Sequence, residues 1–126
     1  MNKIILMGRL TKDPELRYTN TNQVPVAGFS MAVDRRRIKG KDKETDFFDV
    51  VTWQATAEFV TKHFTKGQQI CVEGRLQQRS WTDKATGATR YAVEVIAENV
   101  YFAGYKKDDT QSSYVDQGAD FDPYAA

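Results

Sequence analysis

The sequence predicts an all-β fold, a five-stranded Greek-key barrel with one helix between its third and fourth strands. Five segments alternate apolar and polar residues with the period of two that is typical of strands. One segment after the third strand has the period of an amphipathic helix. Gly8, Gly28 and Gly74 each interrupt a strand pattern, which indicates the sharp bends of a small sheet.

The elements follow one another in the order β-β-β-α-β-β. The strands are predicted at residues 3–10, 24–34, 47–53, 70–81 and 91–102. The helix is predicted at residues 55–64, and Gly67 follows it in the position of a C-terminal glycine. Residues 11–23 are predicted as a polar connection, and the highly charged residues 35–45 as a solvated hairpin loop. This order is the pattern of the OB-fold.

The last two strands are predicted to form a hairpin around a polar turn at residues 82–89. Trp81 has the same strand parity as Arg75 and Arg79, opposite to the aliphatic residues that begin its strand. A large aromatic side chain on a cationic sheet surface is suited to stacking rather than to a core. In the final strand the apolar alternation shifts after Ala97, which indicates a β-bulge.

Charge divides the chain into two parts. Residues 1–107 carry 18 Lys and Arg against 12 Asp and Glu, a net charge of +6, and residues 108–126 carry five Asp and no basic residue. The predicted organisation is an OB-fold domain at residues 1–104 and a short, acidic, disordered tail at residues 105–126. A basic domain favours a polyanionic ligand, with an ordinary soluble surface as the alternative.

Neither secretion nor membrane insertion is indicated by the sequence. Cys71 is the only cysteine, so no intramolecular disulfide is expected, and no apolar run approaches the ~20 residues of a membrane span. A cytoplasmic location is therefore expected.

Candidate catalytic and metal-binding residues are few. His63 has no second ligand at helical spacing and Cys71 has no basic partner, so both are interpreted as structural residues. Four acidic residues in or beside the lysine-rich loop are interpreted as a solvated charge run: Asp42, Glu44, Asp46 and Asp49. The sequence therefore predicts a binding protein that is not an enzyme and needs no metal or cofactor.

Three aromatic residues form a candidate track for nucleobases. Phe47 and Trp53 share one face of the third strand, and Trp81 lies in the basic hairpin. Stacking accepts any base and a positive groove follows phosphates, so this pattern predicts sequence-independent binding of single strands. Aromatic residues in strands usually belong to the core, and for Phe47 and Trp53 that alternative stays open. The candidate phosphate-binding residues are Arg9, Arg35, Arg37, Lys39, Lys43, Arg75, Arg79, Lys84 and Arg90.

An ordered set of motifs extends over residues 2–102. The motifs lie at residues 2–10, 13–18, 29–33, 46–53, 57–58, 66–67, 73–76, 81–83 and 94–95, with Arg79, Gly87 and Arg90 between them. Each motif is weak alone, but the ordered set is highly specific. It resembles the bacterial-type single-stranded DNA-binding proteins, a family that includes phage-encoded members.

The resemblance implies an OB-fold that assembles as a homotetramer and covers single-stranded DNA during replication, recombination and repair. It implies stacking roles for Phe47, Trp53 and Trp81. The position of a fourth family aromatic is Arg37 here, and a guanidinium can stack or bind phosphate instead. The residues that the resemblance places between subunits are Lys3, Ile5, Met7 and Phe48.

The tail departs from the family, whose members have a longer linker and end in an acidic run closed by Pro-Phe. The candidate partner-binding residues here are Asp120, Phe121, Asp122, Pro123 and Tyr124, followed by two alanines. Recruitment of replication or recombination proteins and a purely solvating tail both stay open. The short tail favours a phage or plasmid origin.

Two other functions are compatible with the pattern. The main alternative is an OB-fold protein-interaction module of a replication or recombination complex, with weak DNA affinity. A nuclease accessory domain is more distant, because the acidic residues lack the spacing of metal ligands.

Overall fold

Six strands and one helix make up residues 1–104, the part of the chain that the computed structural model describes. They are β1 (Ile4–Leu10), β2 (Glu15–Tyr18), β3 (Pro25–Asp34), β4 (Thr45–Trp53), α1 (Gln54–His63), β5 (Gln69–Thr82) and β6 (Thr89–Phe102). The all-β class and the single helix at the predicted place are confirmed. The predicted tail at residues 105–126 lies outside the described residues, and the domain boundary before it stays a prediction.

The five long strands close into a ring. In order, β1 pairs with β5, β5 with β6, β6 with β4, β4 with β3, and β3 returns to β1. The ladder between β4 and β6 is parallel, and the other ladders of the ring are antiparallel. This arrangement is that of the OB-fold. Proteins with this fold bind ligands on the outer face of the second and third strands of the barrel, which are β3 and β4 here.

β2 occupies part of the segment that the sequence analysis assigned to a polar connection. It pairs antiparallel with the first half of β3, with Leu16 half-buried and its neighbours Glu15 and Arg17 exposed. The sequence pattern predicted a polar connection at residues 11–23 and did not predict this strand within it. Four residues are too few for a period of two to stand out against the polar sequence around them.

The core consists of inward residues of the strands, together with Val60 of α1 and Phe64 directly after the helix. The buried cluster is Leu10, Phe29, Met31, Val50, Val60, Phe64, Ile70, Val72, Val95 and Ala97. The buried hydroxyl of Thr52 donates a hydrogen bond of 2.9 Å to the carbonyl of Ala27, so this polar group inside the barrel has a partner. Because β3 and β4 each bury one face in this core, their outer faces are fixed in position.

Two glycines permit backbones to approach closely where strands cross. A Cβ atom at Gly8 would overlap the carbonyl group of Ala32, and one at Gly74 would overlap that of Ile96. Gly28, in the middle of β3, has only ordinary contacts around the equivalent position. The first two glycines are therefore required by packing, and the third is not.

The predicted bulge in β6 is confirmed. The register between β5 and β6 shifts opposite Gly74, and Glu98 is the extra residue. The bulge reverses the strand parity, so that Ala97 before it and Val100 after it both turn toward the core.

Beyond the barrel, β5 and β6 continue as a two-stranded ribbon, residues 76–93. Every residue of β5 from Leu76 to Thr82 is exposed. On β6, Tyr91 and Val93 are exposed as well, although they keep the apolar parity of their strand. On the ribbon, parity therefore no longer separates buried residues from exposed ones.

Candidate nucleic-acid interface

Phe47 and Trp53 lie on the outer face of β4. The two residues are 65% and 44% exposed, whereas Val50 and Thr52, which have the opposite parity, are buried. The alternative that Phe47 and Trp53 are core residues is therefore excluded. The core holds the inner face of the same strand, so both aromatic rings project from a fixed backbone.

The junction between β4 and α1 sets the position of Trp53. Trp53 has an extended backbone and occupies the N-cap position of α1. Gln54, the next residue, adopts a left-handed conformation with a φ of 53°. A positive φ is uncommon for a residue other than glycine, and it turns the chain sharply. The helix leaves the sheet directly after Trp53, and the indole stays at the exposed end of the strand.

A groove of about 330 Å³ runs over the outer faces of β3 and β4. Its floor includes Gly28 of β3 and Asp49 and Val51 of β4. These β4 residues lie between Phe47 and Trp53 along the strand. Its charged lining residues come from the start of the chain and from the ribbon region: Lys12, Glu15, Arg17, Arg79 and Glu94. The groove therefore extends from the part of β4 between the two aromatic residues to Arg79 on the ribbon.

Trp81 lies on the ribbon against a cation. The guanidinium carbon of Arg79 is 4.8 Å from the centre of the Trp81 ring. Arg79 Nε also donates a hydrogen bond of 3.3 Å to Glu94 on β6. Trp81 is 43% exposed, as predicted for a residue outside the core. The arginine covers one face of the indole through a cation–π contact, and the carboxylate holds the arginine in place.

The turn at the end of the ribbon is organised by Asp83. Its Oδ1 accepts a hydrogen bond of 2.9 Å from the backbone of Ala85, and its Oδ2 accepts one of 3.1 Å from Arg90. Gly87 adopts a φ of 77°, a conformation that favours glycine. Arg90, a predicted phosphate ligand, is thus used within the turn, while Lys84 is exposed and forms no ion pair within residues 1–104.

Arg35 holds the base of the hairpin between β3 and β4. Its guanidinium donates two hydrogen bonds of 2.9 Å to Asp46 and one of 2.9 Å to Glu44. The bonds to Asp46 lower the pKa of that carboxyl group and raise the pKa of Arg35. By contrast, Arg37 and Lys39 are exposed and have no ion pair in the described part of the chain. These two are therefore the more available cations of the hairpin.

Arg9 and Lys43 share one carboxylate. Their nitrogens lie 3.4 Å and 3.3 Å from Asp34 Oδ2. A hydrogen bond from the Thr45 hydroxyl, together with the two cations, lowers the pKa of Asp34. Arg9 lies in the same row across β1, β3 and β4 as Phe47, so it is close to the aromatic track.

Arg75 lies apart from the groove, although it shares a strand with Arg79. It binds Glu98 at 3.1 Å, and Glu98 is also 4.0 Å from Lys3 on β1. The structure therefore groups Arg75 with the surface that was predicted to contact another subunit.

The predicted subunit-contact residues have two different environments. Ile5 and Met7 are 65% and 59% exposed on the outer side of β1, and Lys3 binds Glu73 at 3.1 Å beside them. Phe48, by contrast, packs partly against the core of its own barrel. Ile5 and Met7 thus form an exposed apolar surface.

Two cations of the groove, Lys12 and Arg17, were missed by the sequence analysis. Both lie in the segment interpreted as a polar connection, and Arg17 forms an ion pair of 3.4 Å with Glu15. The signal was the short alternation of Glu15, Leu16 and Arg17. In a strand paired with β3, this alternation places Glu15 and Arg17 on the outer surface.

The residues interpreted as structural have packed or solvated surroundings. The ring of His63 lies 4.6 Å from that of Phe59, and partial burial raises the pKa of the Cys71 thiol. Residues 1–104 contain no cluster of three or more side chains suited to a metal ion. In the same residues, no helix has the length and apolar character to cross a membrane.

Known proteins are similar to the chain over nearly its whole length. The model of the Single-strand binding protein family matches residues 1–103. Single-stranded DNA-binding protein 3 of Clostridium acetobutylicum is 43% identical over 93% of this chain and 81% of its own length. The Single-stranded DNA-binding protein of Clostridium tetani is 40% identical over 98% of this chain and 84% of its own length. The Single-stranded DNA-binding protein of Thermotoga maritima is 45% identical over 88% of this chain and 79% of its own length.

Proposed function

Because the chain belongs to the Single-strand binding protein family, we propose that it binds single-stranded DNA without sequence specificity. The observation that carries the proposal is the exposure of three large aromatic residues, Phe47, Trp53 and Trp81, on a surface rich in Arg and Lys. Membership of this family agrees with a binding protein rather than an enzyme.

The three aromatic residues supply stacking surfaces for unpaired bases. Each stacked base contributes about 1–3 kcal/mol, and the contribution does not depend on which base it is. Phe47 and Trp53 are six residues apart on one strand, a distance of roughly 20 Å, so they stack on different nucleotides. Duplex DNA hides the faces of its bases and therefore binds less tightly.

The surrounding cations supply contacts to phosphates. Six of the nine predicted phosphate ligands are paired with carboxylates in the free protein: Arg9, Arg35, Lys43, Arg75, Arg79 and Arg90. Exposed ion pairs contribute little net stability, so the exchange of a carboxylate for a phosphate costs little. The remaining three, Arg37, Lys39 and Lys84, need no such exchange and are proposed as the first contacts.

A fluorescence titration with oligo-dT tests the proposal directly. Stacking on Trp53 and Trp81 should quench tryptophan emission, and the affinity should fall as salt rises because bound phosphates release counterions. A duplex of equal length is the matched control and should bind more weakly. A folded protein whose emission does not respond to oligo-dT would refute the proposal and favour a protein-interaction module.

We propose further that the protein forms homo-oligomers through β1, with the tetramer typical of its family. One edge of β1 pairs with β5 from Ile4 to Arg9, but the other pairs with β3 only at Arg9 and Leu10. The exposed Ile5 and Met7 lie on this strand. The unpaired part of the edge can therefore extend a sheet into a second subunit.

Light scattering on purified protein tests this assembly. The Ile5→Glu, Met7→Glu double variant should have a smaller mass than the parent, because it places charge in the proposed contact. Leu76→Glu, which changes an exposed residue of the ribbon, is the control and should keep the parental mass. A monomeric parent protein would contradict the proposal.

The proposed cellular role is protection of exposed strands during DNA replication, recombination and repair in the cytoplasm. The proposed tail, with Asp120 to Tyr124 as a docking segment for partner proteins, is separate from DNA binding. Deletion of residues 106–126 removes five Asp and two Lys, so DNA affinity should stay unchanged or rise slightly. A large loss of affinity would contradict a domain boundary near residue 104.

A further inference from the structure

One carboxylate on the groove floor has no role in the function proposed above. Asp49 is exposed on the outer face of β4, two residues after Phe47 and four before Trp53. A negative charge at this place repels the phosphates of a bound strand. Its presence therefore lowers affinity for every strand unless it makes a compensating contact.

Asp49 differs from the other carboxylates of the groove. Glu15 binds Arg17 at 3.4 Å and Glu94 binds Arg79 at 3.3 Å. Asp49 forms neither an ion pair nor a side-chain hydrogen bond with any residue of the described range 1–104. An ionised carboxylate is only an acceptor, so its two oxygens are available to hydrogen-bond donors of a ligand.

The geometry of β4 brings Asp49 within reach of a stacked base. Alternate residues of a strand lie ~7 Å apart on the same face. A base stacked on the side of the Phe47 ring that is nearer Trp53 would lie above β4 between Phe47 and Asp49. In the proposed arrangement the polar edge of that base faces the Asp49 carboxylate.

We infer that Asp49 reads the exocyclic amino groups of bases. Carboxylates accept hydrogen bonds from the N4 amino group of cytosine, and adenine and guanine also carry amino groups. Thymine presents a carbonyl oxygen at the corresponding place, which a carboxylate repels. The inference rests on the proposed function and adds to it a preference for amino-bearing bases at one position.

The test compares dC and dT oligomers of equal length on the parent protein and on Asp49→Asn. The two oligomers differ intrinsically in stacking, so the measured quantity is the change in their affinity ratio on substitution. The amide oxygen of asparagine accepts a hydrogen bond from the amino group of cytosine, and its NH₂ group can donate one to the carbonyl oxygen of thymine. The dC-to-dT ratio should therefore fall about fivefold, as expected for one hydrogen bond, while both affinities rise with the loss of the negative charge.

Two controls isolate the hydrogen bond from the charge. Glu58→Gln removes an exposed carboxylate on α1, outside the groove, and should leave the ratio unchanged. An oligomer of 2-pyrimidinone nucleosides lacks only the 4-amino group of cytosine. The parent protein should bind it less tightly than dC, whereas Asp49→Asn should show a smaller difference.

The outcomes separate the inference from the function on which it rests. A dC-to-dT ratio that is the same in the parent and in Asp49→Asn overturns the inference, even where both oligomers bind. Failure of the parent protein to bind either oligomer overturns the proposed function itself.

Discussion

The two parts of the candidate interface, the outer face of β4 and the ribbon, are built in different ways. On β4, Val50 and Thr52 are buried and Phe48 is partly buried, so the backbone under the aromatic rings is held by the whole barrel. On the ribbon both faces are exposed, and Trp81 is positioned by its cation–π contact with Arg79.

This difference separates a rigid stacking surface from an adjustable one. Opening the ribbon breaks few buried contacts, whereas displacing β4 disrupts the core. We therefore expect the ribbon to adjust to a bound strand while the β4 face stays in place.

Substitution of Gly74, where the ribbon leaves the barrel, should give the largest effect. In Gly74→Ala the new Cβ atom meets the carbonyl of Ile96, so the strands must separate at the bulge. The free energy of unfolding should fall by about 3 kcal/mol, as for other severe overpacking. Chemical denaturation measures this change.

Gly28→Ala is the matched control on β3. Its Cβ atom would lie 3.7 Å from the carbonyl oxygen of Val50, an ordinary contact. The free energy of unfolding should therefore change by less than about 1 kcal/mol. Equal destabilisation by the two substitutions would contradict the special role of the crossing at Gly74.

Sequence patterns predicted different features on the two sides of the interface. On β4, parity separated Phe47 and Trp53 from Val50 but left open which face meets the core, whereas it correctly placed Trp81 outside the core. Parity could not show that Leu76 and Val93 are exposed, because the alternation continues where the core has ended. How far a strand extends beyond the barrel depends on the packing of the other strands.

The partners of the cations also lie beyond sequence reasoning. Arg79 and Glu94 are 15 residues apart and meet only in the register that follows the bulge at Glu98. Arg17 reaches the groove because the short β2 pairs with β3, and Lys12 lies in the groove just before that strand. The sequence shows that such residues are charged. Which carboxylate pairs with them, and whether they line a groove, depends on how the strands pair in the folded protein.

Removal of single aromatic residues should weaken DNA binding without unfolding the protein. Trp53→Ala and Trp81→Ala should each reduce the binding free energy for oligo-dT by about 1–3 kcal/mol. The loss should be larger for Trp53, because the ribbon that carries Trp81 must lose conformational freedom on binding. Titration by anisotropy of a labelled oligomer measures both.

Tyr91→Ala is the control for Trp81→Ala, since it removes an exposed aromatic residue of strand β6 on the same ribbon. It should change the affinity little. If Trp81→Ala lowers the free energy of unfolding by roughly 3–5 kcal/mol, as a core residue would, then its assignment to the binding surface is wrong.

The ion pair between Arg79 and Glu94 should give smaller effects of opposite sign. Arg79→Gln removes a phosphate contact and should weaken binding about fivefold, with a shallower salt dependence. Glu94→Gln frees the arginine from its carboxylate and should tighten binding by a similar factor. If both variants weaken binding, the pair serves to hold Trp81 in position and Arg79 does not exchange to phosphate.

The smallest expected effect concerns the turn of the ribbon. Asp83→Ala removes acceptors for the backbone of Ala85 and for Arg90, so the free energy of unfolding should fall by only about 0.5–1 kcal/mol. Arg90 is released at the same time, so DNA affinity should rise slightly at low salt. The double variant Asp83→Ala, Arg90→Gln is the control and should remove that gain. A loss of affinity as large as that of Trp81→Ala would instead show that the ribbon must be ordered before the strand binds, and it would contradict an adjustable ribbon.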